Sequence, residues 1–445
     1  MRRLLVVAYF FPPVGGVGVE RTLRHVQHLP SQGWQPVVVA PANSGYRIVD
    51  PATATRIPEG VDVHRVRTVE PAHLRRGMGR LLGRRGGARG DAGEAPGAPS
   101  TARGGRLRDA ANAAWGTTIP LVFFPDEQVA WIPGAVRAGR RAHAEHPVDA
   151  VYSSSPPISG HLAAGRIARA IGRPWIADFR DPWIGNAFAR PLPAPHRFLQ
   201  RRLERRIVGK ADRVVLATAR MRDEFAARYP DRAERLVYIP NGYDLDELVA
   251  APSSPRGDGT FRLIYAGSVY GQRELDLFLD GVEHLLARRP EARGQLRVEF
   301  VGWFSEANLA IAAPRLPPLE PVVRHVGFVP KSEAVARQRD ADAGLVLIAP
   351  GEHREAIATG KLYEYLGLDL PVLAIVPPGE VRDILAGLDW GVVAEPTPEG
   401  VADGIERIMA APQPDRAADP ERRYERRALS ARLAELLDEV ARAEE

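Results

Sequence analysis

The chain has 445 residues, enough for two or three domains, and its 45% hydrophobic and 26% charged content is that of a folded globular protein. It has no cysteine, which excludes a disulfide scaffold, thiolate metal sites and cysteine nucleophiles, and fits a reducing, cytoplasmic setting. The net charge of +5 favours polyanionic partners: phosphorylated substrates, nucleic acid or an acidic membrane surface.

Met1-Arg2-Arg3 followed by an apolar run imitates a signal peptide. The run is short, ends at Pro12-Pro13 and meets no small-residue cleavage pattern, so a first buried strand over Leu4–Tyr9 is expected instead. No apolar run approaches the ~20 residues of a membrane span. The strand leads through Gly15, Gly16 and Gly18 into a helix carrying Leu23, Val26 and Leu29. Glycines between a strand and a helix let backbone approach a phosphate or a sugar, although a plain structural turn reads the same way. The dinucleotide fingerprint is incomplete, because Gly16-Val17-Gly18-Val19-Glu20-Arg21 lacks its last glycine.

Further short apolar runs predict strands at Pro36–Ala40, Ala150–Ser153, Trp175–Asp178 and Val214–Ala217, covered on both faces as in a parallel sheet. Residues 76–110 interrupt them with arginine, glycine, alanine and proline, and read as a flexible insertion. An interior loop of this kind is a poor RNA-binding tract, so no nucleic-acid partner is expected. The run Ser153–His161 places small hydroxyls and a first-turn histidine at a strand end, where open α/β sheets bind ligands. His161 alone serves equally as a helix-start residue. The next strand exits through Asp178-Phe179-Arg180-Asp181, where charges need pairing or a cleft. Asp181 is therefore a candidate for a hydroxylic substrate, against a structural Asp–Arg pair. Arg197–Arg213 reads as a helix with an inward stripe of Leu199, Leu203 and Ile207. Its crowded arginines suggest first a solvated face and second peripheral contact with an anionic membrane.

A second series of strands follows at Phe261–Tyr265, Leu296–Val301, Val322–Val326, Gly344–Ile348, Pro371–Ile375 and Gly391–Val393. Two α/β units are expected: residues 1–245, a linker at 246–258, a second unit at 259–420 and a C-terminal helix at 421–445 that closes across the domains. Tyr265-Ala266-Gly267-Ser268 ends a strand with Arg273 shortly after, an arrangement of backbone and guanidinium suited to a diphosphate. Thr359-Gly360-Lys361-Leu362 opens a helix, and helix starts are anion seats. Lys361 is one of only three lysines among 60 basic residues, a hint that a compact point charge is needed there. Glu364 follows on a helix that reads as largely covered, placed to accept two ribose hydroxyls. There is no P-loop, no metal-ligand spacing and no G-x-S-x-G elbow. Asp244/Asp246 and Asp340/Asp342 do not end strands, so no metal–nucleotide role is expected of them.

Taken in order, these segments resemble the GT-B glycosyltransferases of family 4 over nearly the whole chain. The matching pieces in the first half are Phe11-Pro12-Pro13 with Gly15-Gly16, Ser155-Pro156-Pro157 with His161, Asp178-x-Arg180-Asp181-x-Trp183, and Ile239-Pro240-Asn241-Gly242-Tyr243-Asp244. In the second half they are Tyr265-Ala266-Gly267 with Arg273, Val326-Gly327-Phe328-Val329-Pro330, and Lys361-Leu362-Tyr363-Glu364-Tyr365 with Pro371-Val372-Leu373. The resemblance implies an α/β fold of two Rossmann-like doubly wound domains facing a central cleft. It implies retaining transfer of a sugar from a nucleotide-diphosphate sugar to a hydroxyl acceptor, in polysaccharide, lipid-glycan or natural-product assembly, with no cofactor and no metal. By resemblance, Gly15, Gly16 and Gly267 approach the donor and Arg273, where relatives usually place a lysine, neutralises the diphosphate. The amides of Gly360, Lys361 and Leu362 cradle the phosphates, Glu364 holds the ribose, and the stretch around Phe328 meets the base. His161 and Asp181 line the acceptor side as catalytic candidates.

Two positions depart from the family pattern. The first glutamate of Glu-x7-Glu is replaced by Ala356, so either Glu355 substitutes from the neighbouring position or the sugar is handled differently. Ser268 stands where an arginine is common. A nucleotide-sugar epimerase of the same architecture, and a non-catalytic partner subunit, are the alternative readings.

Overall fold

The computed structural model describes residues 1–46, 49–73, 119, 122–189, 192–250, 259–269, 272–388, 391–411 and 418–443. The arginine- and glycine-rich insertion expected at 76–110 lies outside them. The chain divides into two compact units, Met1–Pro240 with Ser430–Glu445, and Asn241–Leu429.

The first unit is built on seven strands: β1 (Arg2–Val7), β2 (Trp34–Pro41), β3 (Asp62–Val66), β4 (Ala150–Ser155), β5 (Trp175–Phe179), β6 (Arg213–Leu216) and β7 (Leu236–Tyr238). They lie in the order β3-β2-β1-β4-β5-β6-β7, and every pairing is parallel. Helices over Val17–His28, Ile132–Glu145, Ile158–Ile171, Ala194–Lys210 and Ala219–Arg228 lie between the strands in sequence. The apolar run of β1 and the apolar and small residues of β4 fit burial on both faces: Leu4 to Val7 and all six residues of β4 are buried. The edge strands β3 and β7 were not expected. One is a half-exposed run containing Asp62, His64 and Arg65 and carries no apolar signal, and the other, Leu236-Val237-Tyr238, is apolar but only three residues long.

The second unit repeats the plan with β8 (Phe261–Ala266), β9 (Leu296–Val301), β10 (Val323–Gly327), β11 (Ala343–Leu347), β12 (Val372–Ile375) and β13 (Gly391–Ala394), in the order β10-β9-β8-β11-β12-β13. Its pairings are parallel as well. Alternate residues feed two core layers. Leu263 joins Phe278, Leu279, Phe300 and Ile405 on one face, while Ile264 joins Val346, Leu362, Tyr363 and Val372 on the other. Residues 246–250, expected in the linker, belong to a helix over Leu245–Ala250 inside this unit, and 251–258 lie outside the described residues. The C-terminal helix is Arg426–Arg442. Its first turn is tied to the second unit by Arg426 N–H on Tyr243 O, 2.9 Å, and Ser430 onward packs in the first unit, with Ser430 Oγ 2.9 Å from His25 Nδ1.

In each sheet the strand order reverses direction once, between β1 and β4 and between β8 and β11. Open α/β sheets leave a crevice at the carboxyl ends of such a pair. Most candidate residues come from the segments after β1, β4, β8 and β11, with Asp181 following β5 and Phe328 following β10.

Candidate functional site

In the second unit the site is assembled at the carboxyl ends of β8, β9 and β10. These three strands run into Gly267, Gly302 and Gly327, all with φ in the left-handed region (134°, 146° and 88°). Their backbones interlock: Gly267 N–H donates to Val301 O at 2.7 Å and Gly302 N–H to Gly327 O at 2.8 Å. A Cβ on Gly302 would lie 2.3 Å from Gly267 O, so the rim tolerates no side chain there. His325 braces the edge by stacking on Phe304 at 3.8 Å, with Nε2 3.0 Å from Gly302 O. The result is a strip of bare main chain over which a flat ligand could lie.

Lys361 overhangs this strip. Its Nζ sits 3.8 Å from the centre of the Tyr265 ring, and a Cβ on Gly267 would come within 3.3 Å of its Cε. A cation held by an aromatic face keeps its charge available to an anion, which a partner carboxylate would not allow. The helix Gly360–Gly367 that carries Lys361 is fixed by Tyr365, whose hydroxyl donates to Ile264 O and accepts from Ala266 N–H, both at 3.0 Å. Gly344 on β11 makes the room: a Cβ there would stand 2.4 Å from the Tyr365 ring. Thr359 precedes the helix without capping it, and its Oγ1 is buried without a partner. Leu362 N–H donates to Thr359 O at 3.1 Å and its side chain is buried. The cradle expected from Gly360 to Leu362 is thereby reduced to the amides of Gly360 and Lys361, because the turn closes on the third donor. Glu364 is partly exposed and doubly held, by Lys331 Nζ on Oε1 and by Gln338 Nε2 on Oε2 at 3.0 Å. Phe328 is 85% exposed just beyond Gly327. Arg273 lies in the first turn of the helix Gln272–Arg288, and its side chain is outside what the structure describes. Glu355 is exposed, whereas Ala356 turns inward and is buried; Glu355 O accepts from Glu380 N–H at 2.7 Å.

In the first unit Gly15 is buried and Gly16, with φ 91°, stands at the start of the helix Val17–His28. Asp178 pairs with Arg21 and not with Arg180: Nε to Oδ2 is 2.9 Å and Nη2 to Oδ1 is 2.8 Å. Tyr152 OH and Ser154 Oγ also donate to Oδ2, at 2.6 and 2.9 Å. Burial alone would push the Asp178 carboxyl up, but Arg21 and these hydrogen bonds outweigh it and hold the pKa at about 2. Arg180 instead spends its donors on the carbonyls of Ser155, Pro156 and Gly18, lacing the ends of β4 and β5 to the first helix. That leaves Asp181 exposed beside it. Protein crowded around this carboxyl desolvates it and pushes its pKa up, against the pull of Arg180.

His161 does not meet the expectation of a substrate-facing histidine. It is fully buried, with its ring 4.5 Å from that of Phe179 and Nδ1 2.8 Å from Ser153 Oγ, which also accepts from Trp175 Nε1. Burial lowers its pKa to about 3, so the ring is neutral. It sits at the right strand end but on the inner face of its helix, among core aromatics.

A family model for Glycosyltransferase Family 4 matches residues 95–247. A D-inositol 3-phosphate glycosyltransferase of Kineococcus radiotolerans is 27% identical over 362 residues, 77% of this chain and 80% of that protein. The chain is a glycosyltransferase with the GT-B fold, and its residues 95–247 are similar to family 4. The fold of this glycosyltransferase is shared with solved structures that are distant in sequence. A glycosyltransferase from Rickettsia africae superposes with a TM-score of 0.62 at 11% identity, over 99% of this chain and 98% of the other. Anabaena HepE, solved in complex with UDP, gives 0.57 at 13% identity over 100% and 98%. Sequence reasoning missed three parts of the glycosyltransferase's site: the glycine rim, the Lys331 and Gln338 hold on Glu364, and the Tyr365 lock. Only the rim had a visible signal, since three strands in succession end in an apolar residue followed by glycine.

Proposed function

We propose that this glycosyltransferase takes a nucleotide-diphosphate sugar as donor and transfers the sugar, with retention, to a hydroxyl of its acceptor. The observation that carries the reading is Lys361, an ammonium poised on Tyr265 above a side-chain-free strand end and beside a helix start. In this assignment the diphosphate lies against Gly267, the amides of Gly360 and Lys361, and the orphaned Thr359 Oγ1. Arg273 adds a second cation from the next helix. Glu364 accepts the ribose hydroxyls, with Lys331 and Gln338 fixing the carboxylate so that its remaining lone pairs face the ligand. The main chain at Gly327 and Phe328 meets the base, and Gly15 and Gly16 approach the donor sugar.

Transfer breaks the bond between the anomeric carbon and the departing diphosphate oxygen and makes one to the acceptor oxygen. Charge growing on the diphosphate is met by Lys361, Arg273 and the helix start, which act where charge develops and without a metal. The acceptor proton goes to the departing phosphate or to Asp181, whose desolvated carboxyl has its pKa raised and is the better proton acceptor for it. His161 is excluded from this step by its burial. Glu355, exposed at the end of the loop after β11, is the carboxylate available to the sugar hydroxyls in place of the missing residue at Ala356.

The test is Lys361→Met, which keeps length and removes the charge. Loss of a charge-assisted hydrogen bond of about 1.5–3 kcal/mol predicts roughly 10- to 100-fold weaker binding of a nucleoside diphosphate, with little change for the nucleoside. Calorimetric titration showing equal affinity in both proteins would remove Lys361 from the site.

A further inference from the structure

The sequence pattern places Leu199 in the inward stripe of its helix, and the structure does not. The helix Ala194–Lys210 buries Glu204, Ile207 and Val208, which fixes its inner face. At 100° per residue, Arg202 and Arg206 then lie nearest the middle of the opposite face, with Leu199 and Phe198 on either side of them and Arg205 and Arg201 toward one flank. All six are exposed, Phe198 at 64% and Leu199 at 45%. The single acidic residue of the helix, Glu204, is turned inward and taken by Arg228 Nη1 at 2.6 Å and Tyr229 OH at 2.8 Å. The outward face therefore presents four guanidinium groups and two large apolar side chains with no carboxylate among them.

Several helices of the protein match their arginines to acids: Arg288 to Asp403 and Glu406, Arg315 to Asp280 and Glu283, Arg337 to Glu333. Arg201, Arg202, Arg205 and Arg206 form no ion pair among the described residues. The position of the face also follows from topology. A helix between parallel strands runs opposite to them, so its first half lies at the carboxyl edge of the sheet. Gln200 Nε2 donates to Trp183 O at 2.8 Å, which ties the face to the segment that leaves β5 through Asp181.

We propose that this face docks the protein on an anionic lipid bilayer. Guanidinium groups near such a surface are drawn to the headgroups, while Phe198 and Leu199 gain by entering the boundary with the acyl chains. Nucleic acid would satisfy the arginines but not an exposed leucine beside a lone aromatic ring. The surface is peripheral, since no helix among the described residues is long and apolar enough to cross a membrane. Docked in this way, the protein turns the end of its first sheet that carries Asp181 toward the lipid. The inference goes beyond the donor assignment and does not depend on it.

The experiment is co-sedimentation of the full chain with vesicles of phosphatidylcholine alone and of phosphatidylcholine mixed with phosphatidylglycerol. Binding is expected to the anionic vesicles and to weaken as salt is raised. Arg202→Glu with Arg205→Glu is expected to lower partitioning about tenfold or more. Phe198→Ser with Leu199→Ser is expected to lower it as well, while nucleoside-diphosphate binding stays unchanged in both variants. Equal pelleting with neutral vesicles, no pelleting with either, or wild-type partitioning of both variants would overturn the proposal. Tighter binding to single-stranded RNA than to the anionic vesicles would overturn it too.

Discussion

Lys361 and Glu364 lie on one short helix and are held in opposite ways. The ammonium rests on an aromatic face and remains free to meet an anion, while the carboxylate is clasped by Lys331 and Gln338. Two of the three lysines of the chain are therefore at this end of the site. Glu364→Gln keeps the shape but releases Lys331, and is expected to weaken nucleotide binding about tenfold while sparing a 2′,3′-dideoxy analogue, as read by competition calorimetry. Equal losses for both ligands would move Glu364 away from the ribose. Buried groups in the first unit instead act on stability. His161 has its pKa depressed to about 3, so the folded state refuses a proton that the unfolded chain binds below about 6.5. Its contribution is complete above that pH and is lost as pH falls toward 3, with a slope of up to about 1.4 kcal/mol per pH unit. Asp178, held at about 2, adds a further loss only below about pH 4. Thermal melts from pH 7 to pH 4.5 are thus expected to fall in the native protein and to be flatter in His161→Phe. The rarity of lysine and the strand-end position made Lys361 legible in the sequence. Lys331 and Gln338 were not, because they reach Glu364 from a helix, 33 and 26 residues away respectively.

At the scale of elements, the strands buried on both faces were legible because each is a short uninterrupted apolar run. β3 was not, since an edge strand needs no apolar pattern, and β7 is too short a run to stand out. The helix Ala194–Lys210 shows the limit of periodicity: Leu199, Leu203 and Ile207 share a spacing, but the helix is covered only along its later turns, and Leu199 lies outside the covered part. Asp178 likewise read as a local partner for Arg180, while its partner is Arg21, 157 residues earlier. Tertiary pairing of this kind leaves no local trace. The helix Gly360–Gly367 owes its place to the space above Gly344 as much as to its own residues. Gly344→Ala puts a methyl inside the Tyr365 ring and is expected to cost about 1–3 kcal/mol by overpacking. Because Tyr365 also ties Ala266, the same change is expected to weaken nucleotide binding. Chemical denaturation and calorimetry on one preparation check both effects, and a variant as stable as the native protein would show that the ring has room to move.

At the scale of the molecule, two units of one plan are repeated in sequence, each with its reversal of strand order between its first and fourth strands. This repetition made the fold readable, and the order of weak motifs along the chain made the glycosyltransferase reading possible where no single motif would have done so. The donor end was more legible than the acceptor end for a physical reason. A diphosphate demands bare backbone and cations, which leave marks in sequence, whereas an acceptor hydroxyl demands only a shaped surface with a carboxylate. Asp181 was legible as a charged residue at a strand exit, where the structure leaves it exposed; His161 was misleading because strand-end position does not fix which face of a helix a side chain takes.

The central claim is that the second unit binds a nucleotide-diphosphate sugar for transfer. Its most direct test is a panel of UDP-, GDP-, ADP- and dTDP-sugars incubated with the full chain, read by thermal shift and by release of the nucleoside diphosphate. A bound donor stabilises the folded state by mass action, by about 2.7 kcal/mol at a hundredfold excess over Kd. The account predicts that at least one donor raises Tm and is slowly hydrolysed, and that Lys361→Met markedly reduces both effects. A panel that leaves Tm unchanged and releases no nucleotide would contradict it.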